Sequence, residues 1–240
     1  MPMRSSALLL LVLLTGLFAQ AQTVTISDEV VVKSDGMYAL LGELQGNVLV
    51  LAEKSNHYEV ACFDKAMVPR WTRALELDKR RPRIIEVFAH PAWFAVLYQH
   101  RAEGSTRLKM HKYSPGALLI DSLTVYDLGN TLVSPFYETA FSQDKQTVLV
   151  YWFDQITRFY AFAVRLTDMK VLWQTEMTLD DILPGRDFRQ ALITNDGRMF
   201  AVFDLKNRKP FLPEHHLRIF TMREGQEQPA LLRVPLPDML

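Results

Sequence analysis

Leu149-Val150-Tyr151-Trp152-Phe153-Asp154 is a run of five apolar or aromatic residues closed by a polar one, and the same figure occurs three more times in the chain. It returns as Val48-Leu49-Val50-Leu51-Ala52-Glu53, as Phe94-Ala95-Val96-Leu97-Tyr98-Gln99 and as Met199-Phe200-Ala201-Val202-Phe203-Asp204. The closing residues Glu53, Gln99, Asp154 and Asp204 are 46, 55 and 50 positions apart, so a unit of about fifty residues repeats. Runs this short, rich in Val, Phe, Tyr and Trp and bounded by turn residues, read as strands.

Other marks keep the same beat. Ahead of each run lies another strand and a tight turn: Met37 to Leu44 then Gln45-Gly46-Asn47, Ile84 to Ala89 then His90-Pro91, Phe136 to Phe141 then Ser142-Gln143-Asp144-Lys145, and Phe188 to Ile193 then Thr194-Asn195-Asp196-Gly197. Asn and Gly tolerate the positive φ that hairpin turns need. A third strand follows near Tyr58 to Phe63, Arg107 to Tyr113, Phe159 to Leu166 and Leu217 to Met222. A fourth closes each unit at Arg70 to Leu77, Leu118 to Tyr126, Val171 to Leu179 and Ala230 to Leu236. Trp71 and Trp173 take matching places there and are expected to be buried between units. Each fourth strand runs into an aspartate: Asp78, Asp127, Asp181 and Asp238.

Four antiparallel strands per unit is the pattern of a β-propeller blade, whose sheet buries its faces against neighbouring blades. The fold class is therefore all-β, a propeller of about four four-stranded antiparallel blades near 37–78, 84–127, 136–181 and 188–238. Over Met37 to Leu236 the chain resembles secreted bacterial β-propeller repeats of the PQQ-like, TolB-like and WD40-like kind. The Ser142-Gln143-Asp144-Lys145 and Thr194-Asn195-Asp196-Gly197 turns and the two Trp strands carry the resemblance. The Gly-His and Trp-Asp dipeptides of WD40 repeats are missing, and no PQQ ligands carry over. Val30 to Lys33 reads as a leftover strand, and Leu236-Pro237-Asp238-Met239-Leu240 echoes the connector Leu179-Asp180-Asp181-Ile182-Leu183. The expectation is an open arc, or part of a larger ring, with an exposed terminal blade available for self-association. The rival is a tight four-blade ring completed by the N-terminal segment.

Residues 1–21 read as a signal peptide, with Arg4 ahead of the apolar run Ala7 to Phe18 and a cleavage site at Ala19-Gln20-Ala21. The apolar run is short for a bilayer span of about 20 residues, so an uncleaved anchor is the weaker alternative and no stable membrane insertion is expected after cleavage. The expected address is outside the cytoplasm: periplasm, outer surface or medium. Residues 22–240 then form the propeller. With 27 basic and 27 acidic side chains, no net field draws the chain to nucleic acid. The single cysteine excludes an intrachain disulfide or a multi-cysteine metal site, and Cys62, in line with Tyr58 and Val60, reads as a buried hydrophobe.

The catalytic inventory is thin. There is no Gly-x-Ser-x-Gly elbow, phosphate loop, His-Glu-x-x-His or calcium loop. His215-His216 is the one histidine pair, and neighbours on a strand point to opposite faces, so no metal site and no cofactor are expected. The polar residues closing the second strands, Glu53, Gln99, Asp154 and Asp204, would fall on one rim, together with the aspartates of the fourth-to-first connectors. Such a ring suits a cation, a sugar or a basic peptide; the plainer reading is that polar residues cap strands where they reach solvent. The connector carrying Arg80, Arg81 and Arg83 is the basic edge of that rim, a surface for an acidic partner or simply a solvated loop. Trp93 and Trp152 read as packing between blades. These features imply a non-enzymatic module that binds a protein or carbohydrate envelope component by its loop rim. The alternative is a propeller enzyme that uses carboxylates such as Asp154 and Asp204 on a carbohydrate or peptide.

Overall fold

The computed structural model describes residues 24, 26, 36–55, 57–78, 82–131, 133–154, 157–206 and 215–236. The leader, the leftover strand at Val30 to Lys33, Arg80, Arg81 and residues 237–240 lie outside the described residues. Among the described residues sixteen strands form four separate sheets, each a meander in which consecutive strands pair antiparallel. The first sheet holds β1 (Tyr38–Leu44), β2 (Asn47–Glu53), β3 (Tyr58–Phe63) and β4 (Pro69–Ala74). The second holds β5 (Arg83–His90), β6 (Trp93–Ala102), β7 (Ser105–Tyr113) and β8 (Leu119–Asp127). The third holds β9 (Glu138–Phe141), β10 (Thr147–Asp154), β11 (Arg158–Arg165) and β12 (Lys170–Thr178). A single helical turn, α1 (Pro184–Asp187), leads into the fourth, made of β13 (Phe188–Ile193), β14 (Met199–Leu205), β15 (His216–Met222) and β16 (Ala230–Pro235). This is the four-bladed all-β architecture that the repeat implies. No helix among the described residues is long and apolar enough to cross a membrane.

The repeat extends to irregularities. The first strand slips register at Leu40/Gly42, Ile84/Glu86 and Phe188/Gln190, and the third-to-fourth pairing slips at Cys62/Phe63, Lys112/Tyr113 and Ala163/Val164. Bulges increase local twist, which lets each sheet curl as a blade. The Thr194–Arg198 turn closes through Thr194 N–H to the Arg198 carbonyl at 2.9 Å and places Gly197 at φ +78°. Its counterpart in the third blade puts Lys145 at φ +56°. A side chain there costs about 1–2 kcal/mol relative to glycine, partly offset because glycine adds freedom to the unfolded chain. Lys145→Gly is therefore expected to raise stability by about 0.5 kcal/mol. Gly197→Ala should lower it by about 1–2 kcal/mol, since its Cβ would also sit 2.4 Å from Leu172 Cδ1. Urea denaturation measures both, and like signs for the two variants would contradict the turn assignment.

Burial reports blade order. β6 is buried continuously from Trp93 to His100, and β10 from Thr147 to Trp152, because blades cover both faces of their sheets. In β14 burial alternates, with Met199, Ala201, Phe203 and Leu205 buried and the residues between them only partly so. Three apolar cores result, one at each junction of consecutive blades. Among the described residues no such core joins the fourth blade to the first. The outer faces instead carry Leu40, 73% exposed and paired with Val50, and Leu192, 47% exposed and paired with Phe200. The sheets are not closed.

Two expectations need correction. Trp173 is buried and its indole N–H donates to the Gly197 carbonyl at 2.7 Å, but Trp71 is only half-buried, with Arg73 at 5.7 Å from its ring. The reason is that β4 is an outermost strand of the first blade, exposed at nearly every position. The third blade's first strand starts at Glu138 rather than Phe136, which leaves Phe136 in the connector.

Candidate functional site

Antiparallel meanders bring the ends of second and fourth strands out at one rim, together with the second-to-third turns and the blade-to-blade connectors. On that rim, between the second and third blades, lies a cavity of about 700 Å³. Its walls come from the end of β8 (Tyr126, Asp127), the connector residues Leu128, Thr131 and Val133 to Phe136, the end of β10 (Trp152 to Asp154), Tyr160 of β11 and Glu176 of β12.

The pairing register explains the floor. Trp152 and Tyr160 are cross-strand partners, and their rings stack with centroids 5.2 Å apart and planes 3° from parallel. Tyr126 and Tyr137 meet the same indole in T-shaped contacts, with centroids 5.1 and 5.5 Å away. Trp152 is thus 3% exposed and makes a packed base rather than an open platform. Phe136, 76% exposed, stands on the lip. The connector is held by β6: the Gln99 side-chain amide donates to Ser134 Oγ at 2.7 Å, and Arg101 donates to Asn130 Oδ1 at 2.8 Å. It is also tied to β7 by backbone bonds between Thr106 and residues Leu128 and Gly129.

Among the described residues three carboxylates line this cavity, and no lysine or arginine does. Glu176 pairs with Arg158 at 2.7 Å. Asp127 pairs with Arg107 at 3.2 Å. Bonds from Ser105 and the Gly129 N–H, helped by Arg107, hold its carboxyl below the usual carboxylate range. Burial pushes the Tyr126 phenol up, and the charge of Glu176 adds to it. Asp154 is exposed and has no ion pair among the described residues. A second, smaller cavity of about 440 Å³ adjoins across Phe153 and reaches Glu138, Pro184 and Phe188.

The other rim residues separate. Glu53 is half-buried and accepts the Met37 N–H at 3.3 Å. Gln99 is buried, three residues before the end of β6, and acts beneath the cavity through Ser134. Asp204 is held by Arg189 at 2.8 Å and His215 at 2.5 Å. Burial opposes its ionisation, yet these partners bring its carboxyl below the usual range. Arg83 is exposed at the start of β5. Asp154 alone of the four repeat-closing residues lines the cavity, so Asp154 and Asp204 do not share a pocket. The histidine pair is split, with His215 on Asp204, and no group of metal-binding side chains occurs among the described residues. Sequence reasoning missed Tyr126, Phe136, Tyr160 and Glu176. The spacing of Asp154 and Arg158 across a tight turn was the available signal, because it sets Trp152 opposite Tyr160.

A second polar cluster lies between the first and second blades. Tyr98 donates to Asp78, and its hydroxyl lies 2.8 Å from His111 Nε2; Lys109 pairs with Asp78 at 2.7 Å. His111 Nδ1 is 3.1 Å from both the Tyr113 hydroxyl and the Glu76 carbonyl. Burial pushes the His111 imidazolium pKa down.

No family model matches the chain, and no curated protein does. Solved structures similar to it include an uncharacterized protein of Listeria monocytogenes EGD-e, 11% identical with a TM-score of 0.45, which covers 91% of this chain and 58% of its own. The β-propeller domain of the Trilobed protease from Pyrococcus furiosus is 12% identical with a TM-score of 0.40, over 78% and 54% of the two chains. Prolyl oligopeptidase B from Galerina marginata is 14% identical with a TM-score of 0.39, over 70% and 23%. The chain thus spans little more than half the length of the first two and about a quarter of the third. These solved neighbours include β-propeller proteins.

Proposed function

We propose that this chain is an exported, non-enzymatic β-propeller module that binds a protein or other envelope component through its connector rim. The cavity between the second and third blades carries the reading. Its volume is that of a ligand site, it has an aromatic base, and its polar groups sit at the edge. The signal-like leader at residues 1–21 supports export. Intact mass of the secreted protein should begin at Gln22; a product retaining Met1 to Ala21 would overturn the export reading.

Pull-down from envelope extract tests the binding. Immobilised wild type and Gln143→Ala, altered at an exposed turn on the opposite rim, should retain the same partner. Phe136→Ala with Asp154→Asn should lose at least ten-fold of it. Equal capture by all three would contradict a rim site.

Three carboxylates around one cavity also fit an acid–base hydrolase. Against this, Asp127 is held ionised and Glu176 is tied to Arg158. Hydrolysis of chromogenic glycosides or peptides that disappears in Glu176→Gln would favour the enzyme.

A further inference from the structure

We infer that the cavity between the second and third blades takes an alkylammonium group, seated on aromatic faces with Asp154 as its counter-ion. This rests on the rim-binding reading and names the chemistry of its ligand. The charge balance of the wall comes first. Asp127 is matched by Arg107 and Glu176 by Arg158, whose guanidinium also bonds the Tyr160 hydroxyl, and no lysine or arginine lines the cavity among the described residues. The unmatched charge is that of Asp154, exposed at the mouth and without an ion pair among the described residues.

The aromatic wall points the same way. Tyr126, Phe136, Trp152, Phe153 and Tyr160 all line the space, and ring faces attract cations through their quadrupoles. A pyranose ring needs a flat, open aromatic platform on which to lie. Trp152 cannot offer one, because Tyr160 covers one face and the ring, in T-shaped contact with Tyr126 and Tyr137, is only 3% exposed. A compact cation needs only one open ring face beside a carboxylate, and Phe136, 76% exposed, lines the same cavity as Asp154. The Asp154 carboxylate supplies the negative charge at the mouth, since Arg158 balances Glu176 and the raised Tyr126 phenol stays neutral. The cavity exceeds what one ammonium fills, so the group would arrive on a longer chain or headgroup.

The source of the cation is either a lysine side chain of a partner polypeptide or a quaternary headgroup. Calorimetric titration of the leader-free protein with N-acetyl-lysine methylamide and with choline chloride distinguishes them, and the tighter of the two names the source. 3,3-Dimethylbutan-1-ol, the neutral isostere of choline, is the control for apolar filling. At least one cation should bind ten-fold or more tightly than the neutral isostere. Asp154→Asn should weaken that binding at least five-fold. Phe136→Leu, which keeps apolar bulk but removes a π-face, should weaken it about three-fold. Both positions are exposed, so thermal unfolding of these variants should match wild type. The inference is overturned by equal affinity for the isostere, by an unchanged Asp154→Asn, or by tight binding of a neutral oligosaccharide in place of the cations. If cations fail while the Phe136 and Asp154 variants still lose the captured partner, the rim site stands with a different ligand. If both fail, the rim site itself falls.

Discussion

Trp173→Ala is expected to destabilise the fold by about 3–5 kcal/mol, the usual cost of removing a buried tryptophan. The indole is 6% exposed in the core between the third and fourth blades, packed with Phe159, Ala163 and Ile193 among others. Its loss leaves a cavity and also frees the Gly197 carbonyl of the neighbouring turn, which the indole N–H satisfies at 2.7 Å. For a domain of this size, 1 kcal/mol moves the melting temperature by about 2–4 °C, so a drop of about 10 °C should be seen. Trp71→Ala at the corresponding place should cost only about 1–2 kcal/mol, because that ring is half-buried on an exposed outer strand. Equal effects at the two positions would mean that the third and fourth blades do not pack through this strand.

Stability should also fall as the medium turns mildly acidic. His111 is 4% exposed, with Nε2 2.8 Å from the Tyr98 hydroxyl and Nδ1 3.1 Å from the Tyr113 hydroxyl and the Glu76 carbonyl. Burial depresses its pKa more than Asp78, 3.6 Å away, and the Glu76 carbonyl can raise it; Lys109 and His100 also oppose the cation. The unfolded chain therefore takes up the proton first, near the ordinary histidine value of about 6.5. The contribution is complete above that pH and is lost as pH drops toward the folded value, at no more than about 1.4 kcal/mol per pH unit for one proton. Asp78, held below the usual carboxylate range by Lys109 and Tyr98 although burial opposes this, stays ionised across that window. Urea denaturation from pH 8 to pH 5 should show the loss in wild type and a flatter profile in His111→Phe. Asp78→Ala should cost about 2 kcal/mol at neutral pH, since it removes the acceptor of the buried Tyr98 hydroxyl and the ion-pair partner of Lys109. A His111→Phe profile as steep as wild type would assign the acid sensitivity elsewhere.

The blades were legible because the signal for a strand is local. Alternating or continuous apolar runs between turn residues mark each strand, and a fifty-residue beat then assembles them into sheets. The difference between inner and terminal blades is visible only as burial along β6, β10 and β14. The cavity was only partly legible. Asp154 could be found because it closes a repeat, whereas Phe136 looked like the start of a strand. Its place in the connector depends on Gln99 and Arg101 reaching across from β6, a tertiary effect with no local mark. Glu53, Gln99 and Asp204 occupy equivalent places in the repeat but meet different neighbours, so equivalence in sequence did not carry over to a shared chemical role. Polar residues at strand ends serve solvent and turns as readily as ligands.

The rim cavity is the centre of this account, and its most direct test is photocross-linking in the intact cell. A photoreactive benzoylphenylalanine replaces Phe136 on the cavity lip, or Gln143 on the opposite rim, both exposed positions. The account predicts a discrete cross-linked species from position 136, abolished by Asp154→Asn, and none of that size from position 143. The same species from both positions, or one from 136 that is indifferent to Asp154, would contradict it.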